Sequence, residues 1–234
     1  MRSSFQNRRL WLNYRGILFF IWFSLLPYLI AFVASHFIGS RLLVTFVIYG
    51  SSLAFFIGLQ SVRATHFIFF RKNYLSVLFH SFPIGVAAYI AALGVTFAVV
   101  SILTFIFGEQ LPSWITASNQ GFISFLEGDN VAVKVLWFVM IAAAAPIIEE
   151  IVFRGYLQDS LAQLCHHKMP ILTIVIVSFI FALFHTNSLA NMIFAFIVGV
   201  FLSFVRQRHG SILPCMIVHG TVNAVSLLIG LIAA

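Results

Sequence analysis

An acidic pair in an apolar segment is the first feature of this sequence that could do chemistry. Glu149 and Glu150 lie in AAAAPIIEEIVFRG, and Arg154 follows Glu150 by four residues, a spacing that pairs side chains on one helix face. Glu149 lies about 100° round the helix from Glu150 and can point elsewhere. Ionisable side chains next to hydrocarbon are costly, so they indicate function by default. An ion-paired helix end at a membrane interface is the alternative interpretation.

Two histidines follow in the next apolar segments. His185 ends the run FIFALFH, one turn after Phe181, which we interpret as a packing wall. His219 and Asn223 lie in CMIVHGTVNAV, and their four-residue spacing places both on one helix face. Considered singly, His185 is better explained as a hydrogen-bonded packing residue, and hydrogen bonding between helices explains His219 and Asn223 as well as catalysis does.

Together, these side chains could hydrolyse a peptide bond. Hydrolysis needs a base for the water and hydrogen-bond donors for the oxyanion. Glu149, helped by His185, could deprotonate a water. His219 and Asn223 could stabilise the oxyanion, and Arg154 would hold the acidic pair. No Ser or Cys stands out beside a base, which disfavours an acyl-enzyme route.

A metal site is the alternative use of the same residues. Glu149, His185 and His219 are a plausible zinc set with an open coordination position. The chain has no HExxH motif, however, and an Asn on the face of His219 fits an oxyanion hole better than a ligand shell. We therefore predict a site without metal or cofactor, and zinc remains the alternative.

Membrane-spanning helices must position these residues. Of 234 residues, 62% are hydrophobic and 8% are charged, against about 25% charged in a soluble domain. Backbone groups in hydrocarbon must be paired within their own segment, and a span takes about 20 residues. The sequence therefore predicts an all-α polytopic transmembrane helical bundle of about seven spans, with six to eight possible. The apolar runs are 17–38, 42–60, 84–107, 131–153, 171–186, 188–205 and 211–232.

The connections between these runs differ in character. Residues 61–83 mix basic and aromatic side chains and are predicted to be interfacial. Residues 108–130 are predicted to be a wetted loop with one short turn. Residues 155–170 are predicted to form a surface helix that Pro170 stops. The two helices in 171–205 are short with almost no connection, so they could instead form a re-entrant hairpin.

The basic residues predict the orientation of the chain. With a cytoplasmic N-terminus, eleven of the thirteen Lys and Arg residues fall near the inner side, and only Arg41 and Lys134 fall outside. The C-terminus is then outside, and the net charge of +7 needs no nucleic acid. One difficulty follows from helix rise. Counted from the inner ends, Glu149 and His219 lie about 10 Å deep, whereas His185 lies about 20 Å deep.

The polar groups occur as EExxxR, FxxxH and HxxxN, in that order. This ordered set resembles the CAAX protease and bacteriocin-processing (CPBP) family of intramembrane endopeptidases. The resemblance covers roughly residues 131–230. We therefore predict N-terminal transmembrane helices and interfacial segments in 1–130 and a catalytic core in 131–234.

The resemblance also implies an activity. It implies an endopeptidase that cleaves a membrane-associated protein or peptide precursor, of CAAX type or of bacteriocin or leader type, near the cytoplasmic face. It further implies that Glu149 and His185 activate the water.

Two other functions remain open on the residues. A small proton-coupled transporter could use the acidic pair and the two histidines as a relay. Such a protein is expected to have repeats with broken helices in matching halves, and the sequence shows no repeat. A non-enzymatic membrane adaptor or immunity protein could keep the polar cluster for packing. The predicted partners are the lipid bilayer and a peptide or lipidated protein substrate.

Overall fold

The computed structural model describes residues 74–108, 112–116 and 131–233. The predicted helices at 17–38 and 42–60 lie outside the described residues. The helices are α1 (Tyr74–Phe107), α2 (Ser113–Thr116), α3 (Val131–Leu164), α4 (Pro170–Leu183), α5 (Leu189–His209) and α6 (Leu213–Ala233).

The all-α membrane fold is confirmed in the described part of the chain, which contains no strand. Four of these helices, α1, α3, α5 and α6, are long and apolar enough to cross a membrane. Their exposed surface is rich in large apolar side chains, as lipid contact requires. The count of about seven spans stays a prediction.

Helix α3 continues past the end predicted for it. We expected a span ending at residue 153 and a separate surface helix over 155–170, and this was wrong, because one helix runs to Leu164. Gly155 lies inside a π-helical segment, Ile151–Gln158, and does not interrupt the helix. Pro170 begins α4 instead of stopping a helix. A proline suits the first turn of a helix because the N–H groups there have no partner within the helix.

Helices α1 and α5 are also longer than predicted. Helix α1 starts at Tyr74 and contains Pro83, so the end of the predicted interfacial segment is helical. Helix α5 continues through a basic last turn that includes Arg206 and His209, and cations there oppose the negative end of the helix dipole. It ends at Gly210, whose φ of 64° lies in the left-handed region that favours glycine.

A second π-helical turn, Met140–Ala144, precedes the acidic pair on α3. In this turn the Ala145 N–H donates to the Met140 carbonyl, five residues back. The next donor in the pattern would be Pro146, which has no N–H, so the Ile141 carbonyl loses its π-helical partner. The Asn223 side chain of α6 donates to that carbonyl at 2.9 Å. A side chain from α6 thus compensates for a proline in the middle of α3.

Gly220 allows α6 to approach the same turn closely. A Cβ at this position would lie 2.7 Å from the Ala142 carbonyl oxygen, which belongs to backbone and cannot swing away. We expect Gly220→Ala to lower the free energy of unfolding by about 1–3 kcal/mol, measured by thermal unfolding in detergent. Gly94→Ala on α1 is the matched control, because nothing lies within 4 Å of its Cβ position. An equal loss in both variants would contradict close packing as the cause.

Candidate active site

Three buried side chains from α3 and α6 meet at one carboxylate oxygen. Arg154 Nη1 lies 3.0 Å from Glu150 Oε1, and both side chains are fully buried. His219 Nδ1 lies 2.9 Å from the same oxygen. Because a carboxylate oxygen accepts, His219 donates from Nδ1, and this contact sets its tautomer and ring orientation. Its Nε2 is then directed away from Glu150.

Arg154 ties this cluster to the neighbouring helices. Its Nη2 donates to the Gly199 carbonyl of α5 at 3.2 Å, and its guanidinium lies 4.6 Å from the ring centroid of Phe181 on α4. Gly199 permits this packing, since a Cβ there would lie 3.1 Å from the backbone of Ser178. A buried ion pair is more stable when its remaining donors find partners. Helix α5 supplies one carbonyl acceptor and α4 supplies the ring face, while Arg154 Nε has no hydrogen-bond partner among the described residues.

Glu149 differs from Glu150 in its exposure and in how it contacts His219. Its side chain is 26% exposed, and its Oε2 lies 3.9 Å from His219 Nε2. That oxygen has no hydrogen-bond partner among the described residues. A separation of 3.9 Å exceeds a hydrogen bond, and one water beside the two atoms can contact both. The expectation that the two carboxylates point in different directions agrees with this geometry.

His185 lies two residues beyond the last residue of α4. Its Nδ1 lies 2.9 Å from the Phe181 carbonyl. Since a carbonyl only accepts, Nδ1 carries the proton, and Nε2 keeps a lone pair. The Asn191 amide donates to the His185 carbonyl at 3.0 Å, and Ser188 caps the first turn of α5. Hydrogen bonds therefore hold both ends of residues 184–188, which connect α4 to α5.

Phe181 connects His185 to the buried cluster. Its ring centroid lies 4.6 Å from the His185 ring and 5.7 Å from the His219 ring. The Phe153 ring of α3 packs edge-on against Phe181 at 5.0 Å and against Phe184 at 5.5 Å. This packing agrees with the interpretation of Phe181 as a wall.

The difference in depth between Glu149 and His185 disappears in the structure. Helix α3 runs about 22 Å from Glu149 to Leu164, and the chain runs about 22 Å from Pro170 to His185. The two residues therefore lie at the same level, since residues 165–169 connect α3 to α4. The inner end of α3 had been predicted about ten residues too early.

The structure brings six of the seven predicted site residues into one connected set. Glu150 contacts Arg154 and His219, and His219 also contacts Glu149. Phe181 joins the two histidines. Asn223 lies one turn from His219, and one of its amide N–H groups is used by Ile141. Gly199 was expected from the sequence to allow close helix packing, but the use of its carbonyl by Arg154 was missed, as was Ser188. A serine just before an apolar run is a helix-start signal that predicts the Ser188 cap.

A three-ligand metal centre is not apparent in this geometry. Among the described residues, no group of three or more His, Cys, Asp or Glu side chains is arranged to hold a metal ion. Glu149 and His219 form one close pair of potential ligands, whereas His185 reaches the cluster through the Phe181 ring. The zinc alternative is tested by chelation below.

The comparison with known families agrees with the motif resemblance. Residues 131–225 match the family model described as type II CAAX prenyl endopeptidase Rce1-like. Searches of curated proteins and of solved structures give no significant match. The matched range begins with α3 and contains all seven predicted site residues. The match indicates that residues 131–225 resemble the membrane protease domain of the type II CAAX prenyl endopeptidase Rce1-like family.

Proposed function

We propose that this chain is an intramembrane endopeptidase that hydrolyses a peptide bond of a membrane-associated protein or peptide near the cytoplasmic face. One observation carries the proposal. The partly exposed Glu149 has an oxygen without a hydrogen-bond partner among the described residues, and this oxygen lies 3.9 Å from His219 Nε2. The buried carboxylate of Glu150 holds the His219 ring in place through Nδ1. A base and a potential donor thus lie close enough to contact the same water.

Glu149 is the general base in this proposal. It removes a proton from the water, whose oxygen bonds to the carbonyl carbon of the substrate. His185 accepts a hydrogen bond from the same water through Nε2, since its Nδ1 is bonded to the Phe181 carbonyl. The proton on Glu149 then passes to the amide nitrogen as the C–N bond breaks. The products are a carboxylic acid and an amine, and the base is regenerated.

His219 stabilises the tetrahedral intermediate. When doubly protonated, it donates from Nε2 to the oxyanion, while Nδ1 remains bonded to Glu150. Asn223 contributes through the amide N–H that Ile141 does not use. A preorganised donor in a site that excludes bulk water contributes about 10²–10³-fold to the rate.

The family match supports a CAAX-type protein as the first substrate class to test. The outer faces of α1 and α4 carry exposed apolar side chains, so they would lie against the lipid in which a lipidated substrate is anchored. The bacteriocin or leader type of precursor is the second class to test. No metal takes part in this mechanism.

The test of the proposal is a cleavage assay in detergent or nanodiscs. The purified protein is incubated with prenylated C-terminal peptides and with membrane-anchored leader peptides, with and without a chelator. We expect cleavage that the chelator leaves intact. Cleavage that the chelator abolishes and zinc restores would instead assign Glu149, His185 and His219 to a metal shell. No cleavage of either class by folded protein would contradict the endopeptidase proposal and favour the adaptor or transporter.

A further inference from the structure

A small cavity lies where the ends of α3, α4 and α5 meet, and none of the seven predicted site residues lines it. Its volume is about 250 Å³. The sequence changes here between apolar and polar. The last turns of α3 and α5 are polar, with the sequences DSLAQL and RQRH, and the residues that precede α4 are also polar. Such a change marks the level of a bilayer interface. The lining includes Gln158, Asp159, His167, Thr173, Arg206 and Gln207.

Gln158 presents a buried acceptor without a donor. The residue is 2% exposed, and its Nε2 donates to the Ser203 carbonyl at 2.9 Å. This bond fixes the orientation of the amide, because a carbonyl cannot donate. The Gln158 Oε1 has no hydrogen-bond partner among the described residues. An unsatisfied buried acceptor is destabilising, so a group with an N–H or O–H is expected to reach it from the cavity that Gln158 lines.

Arg206 supplies the complementary donor. It is 8% exposed, with Nη2 2.6 Å from Asp159 Oδ2 and Nε 3.4 Å from the Arg154 carbonyl. A guanidinium has five N–H groups, so donors remain for an anion. The first turn of α4 has no side-chain cap, which leaves its positive dipole end available to the same anion. Two exposed basic residues, Lys168 and Arg208, are adjacent in sequence to residues that line the cavity.

We propose that this cavity binds the head group of a membrane phospholipid that joins a phosphate to an N–H or O–H donor, such as ethanolamine or glycerol. The phosphate binds Arg206 and the start of α4. The ammonium or hydroxyl group donates to Gln158 Oε1 and to the Asp159 carboxylate. Choline has no such donor and leaves Gln158 unsatisfied. Basic cavities between transmembrane helices are suited to phospholipid head groups, and the volume fits one head group.

The first test uses the unmodified protein and needs no enzymatic activity. Native mass spectrometry measures lipid retained after incubation with phosphatidylethanolamine, phosphatidylglycerol, phosphatidylcholine or phosphatidic acid. We expect one tightly held phosphatidylethanolamine or phosphatidylglycerol per chain, about tenfold tighter than phosphatidylcholine or phosphatidic acid. Equal retention of all four would overturn the proposal. Soluble glycerophosphoethanolamine that binds as tightly as the lipid would overturn its assignment to the membrane.

The second test locates the bound lipid. Gln158→Met keeps side-chain length and removes the acceptor, and Arg206→Gln removes the phosphate donor. Both are expected to weaken the bound lipid about tenfold. Arg208→Gln makes the same charge change outside the lining, and we expect it to keep the lipid. If Arg208→Gln loses as much lipid as Arg206→Gln, the binding is diffuse attraction to basic residues, and the built site is wrong.

Discussion

Glu149→Gln is expected to lower the rate of peptide hydrolysis by about 10²–10⁴-fold. The amide has nearly the same shape as the carboxylate but cannot take a proton from water. Because Glu149 Oε2 has no hydrogen-bond partner among the described residues, the substitution removes little from the folded state. We therefore expect a midpoint of thermal unfolding close to that of the parent protein. The rate of hydrolysis is measured on the best substrate of the cleavage assay.

Glu150→Gln is the matched control, since it makes the same chemical change one residue later. Glu150 accepts from both Arg154 and His219 inside the protein, so its loss should lower both the unfolding midpoint and the rate. The two variants thus separate a reacting carboxylate from an orienting one. A Glu149→Gln enzyme that retains full activity would contradict the assignment of the base. Equal destabilisation by both variants would show that Glu149 is held as tightly as Glu150.

Arg154→Met should produce the largest loss of stability, about 3–5 kcal/mol. The substitution leaves Glu150 fully buried with His219 as its remaining partner among the described residues. It also removes the contacts of the guanidinium with the Gly199 carbonyl and with the face of Phe181. Unfolding in mixed micelles, followed by circular dichroism, measures the change in free energy.

The double variant Glu150→Gln with Arg154→Met tests the cause of that loss. Removing both charges avoids an uncompensated carboxylate, so the double variant should be more stable than Arg154→Met alone. A double-mutant cycle should then give a coupling of about 0.5–3 kcal/mol between the two positions. Losses that simply add would mean that Arg154 stabilises the protein through packing and not through its pairing with Glu150.

The pairing of Glu150 with Arg154 could be predicted from sequence because it is local. Four residues on one helix face fix the distance whatever the rest of the fold does. The same holds for His219 and Asn223 on one face of α6. Long-range partners are different. That His219 would contact Glu150 across 69 residues depends on how α3 packs against α6, and no short pattern encodes that.

The end of α3 could not be predicted because local signals and packing disagree there. Gly155 and the polar residues after it indicate the end of a span. In the structure, Gln158 donates to Ser203, and Arg206 pairs with Asp159. These contacts with α5 hold the last turns of α3 in the bundle. The sequence contains the polar side chains, but no local pattern in it indicates the partners that keep these residues helical.

The two π-helical turns of α3 have a consequence for aligning this domain with its relatives. Such a turn accommodates one residue more than an α-helical turn of the same height. The segments Met140–Ala144 and Ile151–Gln158 lie on either side of the acidic pair. A relative whose α3 is regular through either segment should therefore show a single-residue deletion within the span. An alignment that moves this gap into the neighbouring loop would shift every position between the gap and that loop by one residue.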